Sequence, residues 1–169
     1  MPPARSDVLK AVRTDDGLLI NVHGRATMRE SWVIKEFLAA YLETDRHTIV
    51  VDLSRCEYLD STFAGCLVEL HKCAHADNAG SFALIANPQR RKHLLGAMRL
   101  DPLFQYVDTA PEAAGEPVAL PGFDDDKLEL VRHVLACHRE LAEIEGPEQA
   151  AFQQLVARLE EDLDAQSTR

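Results

Sequence analysis

"HTIVVDLSRCEYLDSTFAGCLVELHKCAHA", residues 47–76, decides the fold. Its opening, through Ile49, Val50 and Val51, is β-branched and apolar, as a strand buried on both faces should be. From Ser61 onward Phe63, Leu67, Leu70 and Ala74 recur at helical spacing, with Cys66 and Cys73 beside them. That stripe predicts a helix packed on a sheet. At the joint stand Asp60, Ser61 and Thr62, each of which can cap a helix N-terminus. By pattern alone they read as caps.

The flanking sequence repeats the alternation. "DVLKAVRT" and "LLINVHG" read as strands joined at "DDG", and Asp-Gly is a strong hairpin signal. "MRESWVIKEFLAAYLETD", residues 28–45, carries Trp32, Phe37, Leu38, Tyr41 and Leu42 near helical spacing. "SFALIAN" is a strand, "PQRRKHLLGAM" a helix opened by Pro88, and "LFQYVD" a short strand. Strands alternating with helices imply βαβ crossovers. The expected fold is α/β, a mixed sheet, mostly parallel with an antiparallel N-terminal hairpin, covered by helices. Residues 1–114 form this body and 115–126 a Pro/Gly-rich linker.

Residues 127–169 differ from the body. "DDDKLELVRHVLACHRELAEIE" places Leu128, Val131, Leu135, His138, Leu141 and Ala142 on one stripe, and "PEQAAFQQLVARLEEDLDA" places Phe152, Leu155, Val156, Leu159 and Leu163 on another. Gly146 and Pro147 between them suit a helix end and a helix start. This predicts an amphipathic helical hairpin. It could dimerise, cover one face of the body, or hold a dedicated partner.

The net charge is −10 over 169 residues. Twelve acids stand against five bases from Pro121 onward, and sixteen against thirteen before it. An acidic chain argues against nucleic acid as partner, since that contact needs a basic footprint. No apolar run is long enough for a membrane span, and the N-terminus has no apolar core of a secretory signal. The expected location is the cytoplasm, without membrane insertion. The four cysteines form no CxxC pair and read as buried free thiols. His71 and His75, with Cys73 between, fall short of a metal motif, because Cys73 points to a different side. The expectation is no metal and no cofactor.

The residues "VVDLSRCEYLDSTFAG", with the later "HLLGAMRLDPLFQYVDTAPEA", resemble the STAS domain, the fold of bacterial anti-sigma factor antagonists. The resemblance spans about residues 8–114 and leaves the helical tail outside. It implies that Ser61 is a phosphorylation site. It further implies a partner switch: the unphosphorylated form binds an anti-sigma factor that is also a serine kinase, phosphorylation releases it, and a PP2C-type phosphatase restores binding. The domain itself would catalyse nothing. Two departures stand out. Phe63-Ala64-Gly65 replaces a common Gly-Leu-Gly, and Gly24-Arg25-Ala26-Thr27 replaces a common Gly-Glu-Leu-Asp. The resemblance also allows an alternative, a constitutive subunit of a lipid-transport ABC complex that is never phosphorylated.

On helical geometry Ser61, Gly65, Val68 and Lys72 share a second stripe, away from the one that packs on the sheet. With Asp60, Thr62 and the loop at Arg25 and Thr27 they make up the expected partner surface. Gly65 costs its helix about 1 kcal/mol against Ala. It either lets a partner's backbone approach or accommodates a neighbouring helix of the same chain. A phosphate on Ser61 adds about −1.5 to −2 charges at a helix N-terminus, where it is locally tolerated. Burying it against a partner costs several kcal/mol, and even ~4 kcal/mol is close to a thousandfold in affinity. A third reading, Ser61 as a nucleophile, needs a base, for which His23 and His47 are the candidates. His138, on the apolar stripe of the tail, reads as a hydrogen-bonded packing residue.

Overall fold

The computed structural model describes residues 4–43, 47–76, 80–124 and 126–168. The helix ends expected at Thr44, Asp45 and Asp77, and the side chain of His47, lie outside the described residues. Strands β1 (Arg5–Arg13) and β2 (Gly17–Ala26) form the antiparallel hairpin. Helix α1 (Met28–Leu42) crosses to β3 (His47–Leu59), α2 (Ser61–His75) to β4 (Gly80–Ile85), and α3 (Pro88–Leu95) to the short β5 (Gln105–Tyr106). The β2–β3, β3–β4 and β4–β5 pairs are all parallel. The sheet order β5-β4-β3-β2-β1 continues to a sixth strand, β6 (Val118–Pro121), antiparallel to β1.

β6 lies inside the stretch expected as a linker, residues 115–126. "EPVALPG" carries only three apolar residues between prolines, a weak strand signal. At a sheet edge, however, a proline lacks nothing, because no neighbour needs its N–H. The strand leads directly to α4 (Lys127–Ala142) and α5 (Gln149–Ser167).

The sheet has two unequal faces. Ile20, Val22, Ile49, Val51, Leu53 and Leu84 point into the large core that includes α1 and α2. Val12, Leu19, Val50 and Ile85 form a small separate cluster. Alternation along β3 sends Ile49 and Val51 to one side and Val50 to the other, so the continuous apolar run serves both faces.

Helix α2 is buried almost all round from Thr62 to Val68. One stripe, Phe63, Leu67, Leu70 and Ala74, belongs to the large core, as do Cys66 and Val68 beside it. The other lies under α4, which packs against α2 along its length. Of the stripe expected on α4, Leu135, His138 and Leu141 are buried together with His133 and Cys137, whereas Leu128 is exposed. Helix α5 has no fully buried residue and packs on α4. Arg139 on α4 bonds Glu160 on α5 at 2.8 Å. No described helix is long and apolar enough to cross a membrane.

Candidate functional site

Asp60 ends β3 and organises the joint. Its backbone N–H donates to the carbonyl of Ala26 at the end of β2. One carboxylate oxygen accepts from the Phe63 N–H at 2.8 Å and caps α2. The other accepts from the Met28 N–H, also at 2.8 Å, at the start of α1. A single side chain thus satisfies orphan donors of two helices, so both N-termini converge on one point. Burial pushes the Asp60 carboxyl above its ordinary value, and these two backbone donors oppose that shift. Thr27 caps α1 in a capping box with Glu30: the Thr27 N–H donates to the Glu30 carboxylate at 2.8 Å, and the Thr27 hydroxyl donates to it at 2.7 Å. Thr62 is buried.

Ser61 is the first residue of α2 and is half-buried. Its Oγ lies 2.9 Å from Nε2 of His138, seventy-seven positions further along the chain. The other ring nitrogen, Nδ1, lies 2.8 Å from the Val134 carbonyl. Since a carbonyl only accepts, Nδ1 carries the proton in a neutral ring, and Nε2 accepts from the Ser61 hydroxyl. His138 is therefore the hydrogen-bonded packing residue expected from its stripe, and its partner is Ser61. Nothing in the sequence links the two positions.

The rest of the second α2 stripe meets α4 as well. A Cβ built at Gly65 would collide with the carbonyl of Cys137 and come within 3.0 Å of its Cβ. The neighbour at Gly65 in this structure is a helix of the same chain. Val68 is buried. The Lys72 ammonium bridges Glu140 and Glu143 of α4, the latter at 3.0 Å. These contacts raise the Lys72 pKa, with the hydrogen bond to Glu140 the largest cause. The stripe expected to be open thus lies beneath the tail.

Beside it, one rim is uncovered. The Arg25 guanidinium stacks on the Tyr58 ring, 4.1 Å from its centroid. Tyr58 and Met28 are each 40% exposed. Arg25 is thus engaged with an aromatic face next to the joint.

Deeper in the α2–α4 contact, Cys66, His133 and Cys137 bring their donor atoms within 4.8 Å of one another, all buried. Among the described residues, this group, and not His71, Cys73 and His75, is the one brought together. His133 Nε2 lies 2.7 Å from the Ser31 hydroxyl of α1. Burial and the nearby Lys35 charge lower the His133 pKa to about 4, so the ring is neutral at pH 7. A thiol–thiol hydrogen bond with Cys137, together with burial, pushes Cys66 well up. A neutral imidazole suits a metal, but both thiols would have to ionise in a dry contact. The Lys35 charge that lowers His133 would also oppose a dication there.

The Ser61–His138 pair has the spacing of a nucleophile and its base. The cavities found among the described residues lie elsewhere. One of them, about 630 Å³, is lined by Arg13–Leu18, Phe37 and Tyr41.

A model of the family described as "Mlab, STAS domain" matches residues 9–105. The solved structure of the anti-sigma factor antagonist SpoIIAA in its unphosphorylated form is 17% identical, with a TM-score of 0.49, and the match covers 61% of this chain and 90% of that one. An anti-sigma factor antagonist from Mycobacterium paratuberculosis is 21% identical, also at a TM-score of 0.49, with 64% of this chain and 92% of that one covered.

Proposed function

The chain belongs to the STAS domain family, and on that footing we propose that it is a phosphorylation-controlled protein-binding module, an anti-sigma factor antagonist. Its unphosphorylated form binds an anti-sigma factor with serine kinase activity, transfer of phosphate to Ser61 releases that partner, and a PP2C-type phosphatase reverses the step. The module works in the cytoplasm, without cofactor and without catalysis of its own. The partner surface is the α2 stripe Ser61, Gly65, Val68 and Lys72 with Asp60, Thr62, Arg25 and Thr27 at its edge.

The observation that carries this reading is the place of the Ser61 hydroxyl. It stands at the N-terminus of α2, at the edge of a face that accepts a helix, within hydrogen-bond reach of that helix through His138. Backbone donors and the helix dipole tolerate a phosphate there. A docked helix would have to move or to pair about −1.5 to −2 new charges. The domain therefore needs no refolding to change its affinity.

The test compares Ser61→Asp with Ser61→Ala for capture of the cognate anti-sigma factor. Ser61→Ala should bind and Ser61→Asp should lose binding by an order of magnitude or more. Equal binding by both would remove Ser61 as the switch.

A second reading keeps the same surface but makes it permanent, as in a constitutive subunit of a lipid-transport ABC complex. The observation in its favour is that the Ser61 hydroxyl already serves as a hydrogen-bonding group inside a helix–helix contact. Peptide mass spectrometry on protein from its own host separates the two. Phosphate on Ser61 supports the switch, and its absence under several growth conditions supports the permanent subunit.

A further inference from the structure

The α2 face read above as the docking surface is already filled by a helix of the same chain. We propose that α4 is an intramolecular stand-in for the partner, so that this face takes, in trans, an amphipathic helix of the same chemistry and is closed to it until the hairpin lifts. The inference rests on the reading of α2 as the docking surface and adds the occupant and its control.

Contacts along one stripe describe what such a helix must offer. At Gly65 it needs a close backbone approach, since the Cys137 carbonyl occupies the place of a Cβ. At Ser61 it needs a hydrogen-bond acceptor, the place taken by His138 Nε2. At Lys72 it needs acidic groups, supplied here by Glu140 and Glu143. Between these points it needs small or apolar side chains against Val68 and Cys66, as Cys137 and Leu141 provide. The partner is thus an acidic amphipathic helix.

The contact also has the makings of an exchangeable one. Its ionic end is at the solvent edge, with the Lys72 side chain 50% exposed and that of Glu143 70% exposed. Ion pairs of this kind hold weakly. The hairpin stays tethered through β6, which pairs with β1. A tether holds α4 at high local concentration, which adds to the buried contacts of Cys137 and Leu141 in keeping the face shut against a dilute competitor. The uncovered rim of Arg25, Met28 and Tyr58 gives an incoming helix a place to land first. Competition of this form lowers the apparent affinity for the partner by the fraction of molecules that are open.

The test uses the full chain and a labelled synthetic peptide of residues 127–145, the α4 sequence itself, as the trans probe. Two variants open the hairpin from its own side and leave α2 untouched. Cys137→Glu with Leu141→Asp puts charge into the dry contact, and Glu140→Lys with Glu143→Lys reverses the rim, sparing every buried residue. The expected result is that the opened chains bind the peptide roughly tenfold or more tightly than the unaltered chain, and that adding Lys72→Glu to the first variant removes the gain. Equal binding by the unaltered and opened chains would overturn the closure and leave the docking surface standing. No binding by any of them would overturn both. Neither outcome depends on whether Ser61 is phosphorylated, which the Ser61→Asp and Ser61→Ala comparison decides separately.

Discussion

The two stripes of α2 carry the same helix and meet opposite neighbours. Toward the sheet, Phe63, Leu67, Leu70 and Ala74 are apolar and buried. Toward α4, the stripe opens with a hydroxyl, passes through a glycine and a valine, and closes with an ammonium. The first is held by burial, which nothing short of unfolding reverses. The second also buries Val68, Cys137 and Leu141, but it adds a close backbone approach, a hydrogen bond and rim ion pairs, which a charge, a proton or a competing helix can alter. The difference separates the part of α2 that makes the domain from the part that the domain presents.

Breaking the sheet-facing stripe should have the largest effect. Phe63→Ala removes one of the largest fully buried side chains and should cost about 3–5 kcal/mol. Denaturant unfolding should then show a lower midpoint with β-sheet and hairpin signals lost together.

Acid tests the other side through His133. Its folded pKa, about 4, lies below the ordinary 6.5, so between these values the undocked ring takes up a proton that the docked ring refuses. Docking is at full strength above pH 6.5 and weakens as the pH falls toward 4, by on the order of 3 kcal/mol across the window. Ser31, Lys35, Cys66 and Cys137 surround the ring, and no carboxylate is among its causes of shift to repay the proton. Limited proteolysis against pH should release the hairpin before the body unfolds. Replacing His133 with Gln should flatten that dependence.

Gly65→Ala sharpens the comparison by acting on one stripe alone. The new methyl meets the Cys137 backbone and should cost about 1–3 kcal/mol of hairpin docking, while α2 itself gains about 1 kcal/mol of helix propensity. A melting curve should show a body as stable as before with α4 loosened. Lys72→Ala should have the smallest effect, below about 1 kcal/mol, because its ion pairs are at the solvent edge. A thermal shift within a degree or two of the parent would agree with that.

Much of this fold is written locally. The alternation of β-branched runs with helical stripes marked the hairpin, the crossovers and α2, and Gly146 with Pro147 marked the turn between α4 and α5. β6 was illegible because an edge strand needs few apolar residues, and "VALP" lies among the glycines and prolines of a linker. For α1 the stripe was shifted: Ser31, Val33, Ile34 and Leu38 are buried, whereas Trp32, Phe37 and Tyr41 pack only partly. Large aromatic side chains drew the reading to the margin of the core, while smaller residues face its centre.

Of the candidate site, Asp60 and Ser61 were legible as caps, but the second helix that Asp60 caps was not, since Met28 is thirty-two positions away. The Ser61–His138 bond and the Cys66–His133–Cys137 cluster were hidden for the same reason. Both join α2 to a tail whose docking face the sequence showed only as a stripe without a partner. The two histidines and the cysteine on one side of α4, in an otherwise aliphatic stripe, were the available hint.

The most direct test of the central claim is hydrogen exchange across α4, residues 133–141, in Ser61→Asp against Ser61→Ala. If Ser61 governs the helix that lies on α2, the charged variant should lose protection over α4 while β3 and the sheet-facing half of α2 keep theirs. Equal protection of α4 in the two variants would contradict the account, because a charge beside His138 would then leave the docked helix where it is.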